Sequence, residues 1–419
     1  MTSTAFQRQL REVTEIAGNH VRVGERWLLN LASNNYLGLA NDPRVEQAAI
    51  QAIQRWGTGT GSSPLLSGFT SLHQEMARTI CGWKTGSARL NTAETHSGSK
   101  PAPLPSTAEI RALLFPCGYS ANLAAMTVLL EPNAQVFADR KNHASLVDGL
   151  RMAKSERPEM STRYFRHRDF ADLERLLEQS DSHRPRWIVT DSVFSMDGTC
   201  TRPGDIGALV ERYNANVLID EAHATGVMGS DGAGLFSYAS STNAPGLWSQ
   251  GRPKFAVVGT FSKALASIGG FFVGPAELVE RMIQKARPLI YSTSLNPGSV
   301  AAAMAAIQWT IAEPWRRETV QRHSATLHSE LTQQGWKTIG DPDAPLLAVV
   351  VGDHLAAQQL ADALMEVGIW APAIRPPTVK PQECRVRLSP TATMTPDEIQ
   401  SVLSAFATVS KKIRNGRVT

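Results

Sequence analysis

Val217-Leu218-Ile219-Asp220-Glu221-Ala222-His223 is a short apolar run that ends in an acidic residue and, three residues later, a histidine. Val257-Val258-Gly259-Thr260-Phe261-Ser262-Lys263 has the same shape and ends in a lysine. Short runs that are apolar on both faces are typical of strands in a parallel sheet covered by helices. Because ligands bind at the carboxyl ends of such strands, we predict that Asp220, His223 and Lys263 lie together at one edge of a sheet.

Helix-like and strand-like segments alternate over residues 42–278. This alternation predicts an α/β fold with a large, doubly wound and mainly parallel sheet. The predicted strands of this sheet are Ala112–Phe115, Gln135–Ala138, Trp187–Thr190, Val217–Ile219, Ala256–Val258 and Phe271–Val273. Residues 87–107 are rich in Ser, Thr, Ala and Pro without periodicity, so they are predicted to form a surface insertion, with a lid over a site as the alternative.

The C-terminal part of the chain has long helical patterns followed by short strands, which predicts a smaller α+β domain. The predicted boundaries are 1–45 for an N-terminal segment packing with the small domain, 46–295 for the large domain and 296–419 for the small one. The last helix has a clear start, because Thr395 and Glu398 have the spacing of a capping box.

The composition is that of an ordinary globular protein: 419 residues, 42% hydrophobic and 19% charged, with a net charge of +4. The sequence contains no long block of like charge, so nucleic-acid binding is not predicted. The four cysteines form no CxxC pair, so neither a disulfide framework nor a metal site is predicted. The N-terminus lacks a signal-peptide pattern, and no apolar run approaches the roughly 18 residues of a membrane helix. A cytoplasmic protein without a membrane partner is expected.

Lys263 and Asp220 have the side chains that pyridoxal phosphate (PLP) chemistry requires. A lysine amine can form a Schiff base, and a carboxylate can pair with the cofactor's ring nitrogen. A close carboxylate raises the pKa of such a nitrogen by about 1–3 units, which keeps the ring protonated and electron-withdrawing. The plainer interpretation is that Lys263 is a surface lysine, Asp220 a helix N-cap and His223 a structural histidine.

Three further stretches follow predicted strands. Phe115-Pro116-Cys117-Gly118-Tyr119-Ser120-Ala121-Asn122 leads from a strand through a glycine turn into a helix, whose first N–H groups suit a phosphate. In Asn142-His143-Ala144-Ser145-Leu146, the imidazole of His143 can stack on a flat ring. In Ser192-Val193-Phe194-Ser195-Met196-Asp197-Gly198, Ser195 can bond a cofactor. Alone, each stretch is equally compatible with an ordinary turn or helix cap.

Taken together, the motifs resemble the α-oxoamine synthase family of fold-type-I PLP enzymes over about Leu29 to Ala407. The blocks that carry this resemblance are Ser33–Leu39, Leu66–Gly68, Gly118–Asn122, Asn142–Leu146, Ser195–Gly198, Asp220–Gly226, Thr260–Lys263, Tyr291–Ser294 and Arg385–Leu388. The chain departs from the family pattern at Asn35 and at Ser62-Ser63-Pro64, which puts the edge of the substrate site in question.

The resemblance implies that Lys263 forms the Schiff base and removes the substrate's Cα proton, that Asp220 pairs with the ring nitrogen and that His143 stacks on the ring. The implied cofactor-binding residues also include Gly118, Tyr119, Ser195, His223 and Thr260, with Thr293 coming from a partner subunit. The implied substrate-binding residues are Arg8, Asn34, His143, Arg375, Thr378 and Arg387. Arg11 competes with Arg8 for its role, and Arg385 lies on the same face of an ideal strand as Arg387.

The stretch Ala373-Ile374-Arg375-Pro376-Pro377-Thr378-Val379 is similar to family members that condense L-alanine with a pimeloyl thioester in biotin biosynthesis. The implied assembly is a homodimer, and the acyl carrier is either coenzyme A or an acyl-carrier protein. Two alternatives stay open. One is a relative that uses glycine with acetyl- or succinyl-CoA, and the other is a non-catalytic PLP-binding protein.

Overall fold

The computed structural model describes Arg8 and residues 10–86, 110–237 and 255–414, with side chains up to Lys411. The predicted insertion at 87–107 lies outside these described residues. The chain forms two compact units. The small unit comprises Met1–Gly38, Ser195–Thr199 and Trp315–Thr419, and the large unit comprises Leu39–Phe194 and Cys200–Pro314.

The strands and helices follow in chain order. The strands are β1 (Glu15–Ala17), β2 (His20–Val23), β3 (Arg26–Asn30), β4 (Ile110–Phe115), β5 (Gln135–Asp139), β6 (Ser161–Phe165), β7 (Arg186–Asp191), β8 (Asn216–Asp220), β9 (Phe255–Thr260), β10 (Gly270–Pro275), β11 (Thr338–Ile339), β12 (Leu347–Gly352), β13 (Ile369–Trp370), β14 (Ala373–Ile374) and β15 (Cys384–Leu388). The helices are α1 (Pro43–Trp56), α2 (Ser71–Thr85), α3 (Gly118–Leu129), α4 (Ala144–Glu156), α5 (Phe170–Glu178), α6 (Pro203–Tyr213), α7 (Ala276–Lys285), α8 (Arg287–Ile290), α9 (Pro297–Ala312), α10 (Pro314–Gln333), α11 (His354–Glu366) and α12 (Pro396–Arg414).

The large unit is built around a seven-stranded sheet with the order β4-β10-β9-β8-β7-β5-β6. The pairs among β9, β8, β7, β5 and β6 are parallel, whereas β10 is antiparallel to both β4 and β9. The predicted α/β architecture with a mainly parallel sheet is therefore confirmed. Strand β6 was absent from the prediction because its sequence, Ser-Thr-Arg-Tyr-Phe, is largely polar and forms an edge strand.

A continuous apolar core covers one face of this sheet and joins α3, α4, α7 and α8 to the strands. Small residues let the first two helices approach closely: Ala121, Ala124 and Ala125 of α3 are fully buried. On α4, a Cβ at Gly149 would lie 2.7 Å from the Met126 side chain. This packing fixes the starts of α3 and α4, where two of the predicted motifs lie.

The boundary of the large unit differs from the predicted one after residue 295, because α9 belongs to the large unit. This helix is apolar around most of its surface and packs on α1. The Arg44 guanidinium lies 3.5 Å from the Trp309 ring centroid and pairs with Glu313 at 2.7 Å. A helix held in this way by α1 folds with the large unit, so the boundary falls at Pro314.

The small unit contains two four-stranded sheets, with the orders β1-β2-β3-β13 and β11-β12-β15-β14. The strand predicted at Ile369–Ala373 is divided between them: β13 pairs with β3, and β14 pairs with β15. Pro372 lies between these strands and lacks the N–H that a continuous ladder needs. The segment Ser195–Thr199 packs here because Gly198, at φ +71°, lies directly against the Leu346 carbonyl.

The predicted capping box at the start of α12 is confirmed. Glu398 N–H donates to Thr395 Oγ1 at 3.2 Å, and Thr395 N–H donates to Glu398 Oε2 at 2.8 Å. Across the described ranges, no helix has both the length and the apolar character needed to cross a bilayer. The same residues contain no group of three His, Cys, Asp or Glu side chains that could hold a metal ion.

Candidate active site

The carboxyl ends of four neighbouring strands of the large unit carry polar side chains at one edge of the sheet. Asp139 ends β5, Asp191 ends β7, Asp220 ends β8 and Thr260 ends β9. All four are at most 5% exposed. Lys263 follows three residues after the last of them, as predicted from the strand pattern.

The Asp220 carboxylate is held by two donors. Asn122 Nδ2 donates to Oδ2 at 2.6 Å, and the Ala222 N–H donates to Oδ1 at 2.8 Å. The first donor comes from α3 and the second from the turn that follows β8. This side chain is therefore fixed from two sides, as a carboxylate that pairs with a ring nitrogen must be.

His143 is connected to Asp220 through two polar side chains. Asn122 Nδ2 also donates to Ser145 Oγ at 2.9 Å, and Ser145 Oγ lies 2.7 Å from His143 Nδ1. The Ser145 N–H donates to the same ring nitrogen at 3.3 Å. Because Nδ1 accepts from Ser145, we infer that the neutral ring carries its proton on Nε2.

The electrostatic surroundings of His143 favour the neutral ring. Burial lowers its pKa, the Lys263 charge lowers it further, and the Asp220 charge opposes both effects. A neutral imidazole that is oriented through Nδ1 can stack its face on a flat aromatic ring, and it adds no positive charge beside that ring. The predicted trio of Lys263, Asp220 and His143 is thus coupled electrostatically in the structure.

The turn that carries Lys263 is closed by hydroxyl groups. Thr260 Oγ1 donates to the Gly269 carbonyl at 2.7 Å and accepts from the Ser262 N–H at 3.2 Å. Lys263 itself is half-buried. A fixed turn with a partly accessible amine at its end is the arrangement that a covalent cofactor link requires.

The start of α3 faces the end of β9. Cys117 is its N-cap residue, and its sulfur accepts from the Ser120 N–H. A Cβ at Gly118 would lie 3.1 Å from Thr260 Cβ, so glycine permits a close approach of the helix start to Thr260. Tyr119 is 42% exposed, and its hydroxyl donates to Asp148 Oδ2 at 2.6 Å. A helix N-terminus beside a threonine hydroxyl can hold a phosphate group.

His223 lies on the turn after β8, and this turn is anchored by a buried ion pair. Lys84 Nζ donates to Glu221 Oε2 at 2.6 Å and to Thr225 Oγ1 at 3.0 Å. Both Lys84 and Glu221 are fully buried, and Glu221 also accepts from the Phe236 N–H at 2.8 Å. The turn on which His223 lies is therefore fixed by the buried contacts of Glu221 and Thr225.

In the small unit, the two arginines of β15 are both buried but have different partners. Arg385 pairs with the Asp197 carboxylate, and both side chains are 2% exposed. Within the described ranges, Arg387 donates only to neutral oxygens, those of Ser195, Ala32 and Asn34, at 3.1–3.4 Å. Its Nε is buried without a partner, and no carboxylate among the described residues pairs with it. Arg387 is therefore the arginine that suits an anionic ligand.

Asn34 and Tyr36 complete the surroundings of Arg387. Asn34 Oδ1 accepts from Arg387 Nη2 at 3.1 Å and from the Tyr36 hydroxyl at 3.3 Å. Burial raises the pKa of Tyr36 above its ordinary value, although the Arg387 charge opposes this. Ser195, which was predicted to bind the cofactor, lies in this unit and contributes its carbonyl oxygen to Arg387.

A 660 Å³ cavity in the small unit is lined by Arg8, Arg375 and Thr378, three of the predicted substrate-binding residues. Arg8 Nη2 donates to Thr378 Oγ1 at 3.3 Å. Arg11 also lines the cavity, but it contacts Met365 Sδ at 2.8 Å and Asp362 at 3.7 Å. Of these two arginines, Arg8 is therefore the one without a carboxylate partner in the described part of the chain.

Thr293 lines a separate, small cavity of the large unit together with His73 and Phe69. His73 is 2% exposed, and its Nε2 lies 2.9 Å from the Leu295 carbonyl. Ser294 N–H donates to the Ser62 carbonyl at 3.0 Å, so the unusual stretch at 62–64 borders the segment that carries Thr293. The role of Thr293 toward a partner subunit stays a prediction.

Several residues of the site had no predicted role: Asn122, Ser145, Asp191, Lys84 and Glu221. Asn122 and Ser145 stand inside quoted motifs, but only the folded chain brings the Asn122 amide against both Ser145 Oγ and Asp220 Oδ2. Asp191 carries the same signal as Asp220, an acid after an apolar strand run. Lys84 has no such signal, because its partner lies far away in the sequence.

The sequence profile of aminotransferases of class I and II matches residues 26–406. The chain therefore belongs to the aminotransferase class I and II family.

Within this family the chain is similar to proteins named 8-amino-7-oxononanoate synthase. It is 38% identical to a putative one from Geobacillus kaustophilus, over 98% of this chain and 95% of the relative. It is 33% identical to 8-amino-7-oxononanoate synthase 1 of Bacillus subtilis, over 97% and 94% of the two chains.

Solved structures agree on the fold. A lysine-to-alanine variant of a serine palmitoyltransferase from S. paucimobilis, with a bound PLP–myriocin aldimine, has a TM-score of 0.83 and 26% identity, covering 97% of this chain and 93% of the other. An 8-amino-7-oxononanoate synthase from Francisella tularensis has a TM-score of 0.70 and 21% identity, covering 92% and 99%. The predicted fold-type-I architecture is confirmed.

Proposed function

We propose that this protein is a PLP-dependent acyltransferase that condenses L-alanine with a pimeloyl thioester. The products are 8-amino-7-oxononanoate, CO2 and the free thiol carrier, as in biotin biosynthesis. The observation that carries the choice of substrates is the similarity to 8-amino-7-oxononanoate synthases over nearly the whole chain.

The residues of the large unit fit PLP. Glycine at 118 leaves room beside Thr260, and the start of α3 offers N–H groups to a phosphate. Gly118, Tyr119 and Thr260 would hold the phosphate, Asp220 and His223 would bind ring atoms, and Lys263 would hold the cofactor covalently. When bound, PLP supplies a protonated ring that delocalises negative charge from the substrate's Cα.

The chain's own groups then handle the protons and the charges. The substrate's amine displaces Lys263 Nζ, and the freed Nζ then accepts the Cα proton and later returns one. Asp220, fixed by Asn122 and Ala222, keeps the ring nitrogen protonated. His143 presents a neutral imidazole face because burial and Lys263 lower its pKa.

Arg387 binds the carboxylate of the amino acid. A guanidinium whose described contacts are all neutral oxygens gains a bidentate, charge-assisted pair when such a carboxylate arrives. Asn34 orients this guanidinium through Oδ1. Arg8, Arg375 and Thr378 line a cavity that accommodates the acyl side of the reaction. Its arginines would favour an acyl donor that carries acidic groups.

A substrate panel tests the proposal. Purified protein with added PLP is given L-alanine, glycine or L-serine, each with pimeloyl-CoA, a pimeloyl-carrier protein, acetyl-CoA or succinyl-CoA. We expect turnover with L-alanine and a pimeloyl thioester, and the two pimeloyl donors identify the carrier. Activity only with glycine, or no absorbance from bound PLP, would overturn the assignment.

Lys263→Ala tests the catalytic lysine. This variant should fold and bind PLP non-covalently, while turnover falls by at least about 10²–10⁴-fold because the proton carrier is lost. Turnover and retention of PLP after gel filtration are measured together. Lys285→Ala, which removes an exposed lysine of α7, is the matched control. Near-parental turnover of Lys263→Ala would mean that the lysine is misassigned.

The working assembly is a homodimer in which the partner subunit's Thr293 assists the phosphate site. Large apolar side chains that are exposed in the single chain support this arrangement: Leu66 is 83% exposed, Tyr291 72% and Phe69 47%. Sedimentation velocity of the PLP-loaded protein checks it. A monomer across the working concentration range would contradict it.

The compartment is the reducing cytoplasm. All four cysteines are free thiols, and Cys81, Cys200 and Cys384 are buried. An oxidising compartment would favour disulfides instead. Fractionation of the native cells with an antibody against the chain tests this location.

A further inference from the structure

Asp191 occupies a position beside Asp220 that the reaction outlined above does not use. The two residues end β7 and β8 and are register partners in parallel strands. Neighbouring strands lie about 4.8 Å apart and register partners point to the same face, so the two carboxyl groups are close neighbours. Asp191 is 3% exposed and Asp220 is 4% exposed. Two such buried carboxyl groups do not both ionise readily.

The partners of the two groups differ. Asp220 accepts from Asn122 and Ala222. The Asp191 side chain accepts one hydrogen bond from the described residues, at Oδ2 from the His143 N–H at 2.9 Å. Asp139, at the end of β5, lies on the other side and is satisfied by His167 and by the Lys141 and Arg168 N–H groups. Asp191 is therefore the carboxyl group of this row with the fewest donors.

We propose that Asp191 is a positioning residue that holds a proton and fixes His143 through the backbone N–H. As a neutral acid it leaves Asp220 as the carboxylate next to the bound ring. Its carbonyl-type oxygen accepts the His143 N–H at the start of α4, while Ser145 orients the imidazole from the other side. The relevance to catalysis rests on the proposed function, but the proton on Asp191 does not.

The charges that face Asp191 support this state. Burial raises its pKa well above the ordinary value, and the charges of Asp220 and Asp139 raise it further. The His143 N–H and the Lys263 charge act in the opposite direction. These groups come from β5, β8, the start of α4 and the turn after β9.

Infrared difference spectroscopy of the PLP-free protein tests the proton. Asp191→Asn replaces the acid by a neutral group that still offers a carbonyl oxygen. The parent minus Asp191→Asn spectrum near neutral pH should contain the C=O stretch of a protonated carboxyl group, and this band should disappear as the pH is raised. Asp139→Asn is the matched control, because it removes a buried strand-end carboxylate with several donors. A band that persists in Asp191→Asn, or that disappears only in Asp139→Asn, would overturn the proposal.

A second measurement tests the positioning role. Asp191→Asn keeps an acceptor for His143, so its affinity for PLP should stay within about threefold of the parent. Asp191→Ala leaves a buried N–H without an acceptor, so its affinity should fall by about tenfold or more. PLP titration followed by absorbance measures both. Equal PLP affinities of the Asn and Ala variants would contradict the positioning role. If the Ala variant fails to fold, the infrared measurement still decides whether Asp191 holds a proton.

Discussion

Arg385 and Arg387 lie two residues apart on β15, point to the same face and are both buried, yet their surroundings differ. Arg385 is paired with Asp197 inside the small unit. Among the residues that the structure describes, Arg387 donates only to the neutral oxygens of Ser195, Ala32 and Asn34. Burying a guanidinium is costly unless its charge is balanced. Charge balance, rather than burial, therefore distinguishes the two arginines, and Arg387 is the one that suits an anionic ligand.

The large unit contains a related contrast between two lysines. Lys84 is fully buried and donates to Glu221 and Thr225. Lys263 is half-buried at a strand end, where its charge acts on His143 and Asp191. Lys84 stabilises the turn that carries His223, whereas Lys263 is the lysine predicted to react. Each unit therefore contains one cationic side chain that is paired with a buried carboxylate, Lys84 or Arg385. Each also contains one at a predicted functional site, Lys263 or Arg387.

Arg385→Met should have the largest effect on stability. It removes the cationic partner of the buried Asp197 carboxylate, and breaking a buried pair in this way costs about 3–5 kcal/mol in the free energy of unfolding. Urea unfolding followed by tryptophan fluorescence measures this loss. The double variant Arg385→Met, Asp197→Asn should recover much of it, because the buried negative charge that Arg385 balanced is also removed. A loss below about 1 kcal/mol would mean that the pair stabilises the protein no more than an exposed ion pair does.

Arg387→Lys should behave in the opposite way. A lysine keeps the charge but cannot form the two-pronged pair with a carboxylate, so the KM for the amino acid should rise about 10–100-fold. No carboxylate of the described residues loses a partner, so the free energy of unfolding should change little. Steady-state kinetics with L-alanine and the same urea unfolding check both statements. A loss of stability as large as that of Arg385→Met would erase the distinction between the two arginines.

The sequence predicts what is encoded locally. The apolar runs before Asp220 and Lys263 are sufficient to predict strands, their ends and a shared sheet edge. The spacing of Thr395 and Glu398 is sufficient to predict a helix start. Local patterns do not specify partners from distant segments.

The choice between Arg385 and Arg387 illustrates this limit. The alternation of side chains along a strand places both on one face, and only the packing of 195–199 against β15 pairs one of them with Asp197. The link from Asp220 through Asn122 and Ser145 to His143 is of the same kind. The domain boundary also depended on tertiary contact, because α9 joins the large unit through its packing on α1.

Thr395→Ala gives the smallest expected effect and sets a scale for the arginine comparison. The change removes one neutral acceptor, for the Glu398 N–H at the start of α12, in the same unit as Arg385 and Arg387. N-cap losses of this kind cost about 1 kcal/mol. Thr395→Ser keeps the hydroxyl and should stay close to the parent in urea unfolding. Thr395→Ala and Arg385→Met could instead lower the free energy of unfolding equally. The small unit would then be equally sensitive to losing a neutral cap and to losing a buried ion pair. In that case the Arg385–Asp197 pair would stabilise the unit no more than a helix cap does. The order of the two losses in the free energy of unfolding therefore decides whether charge balance is the property that distinguishes Arg385.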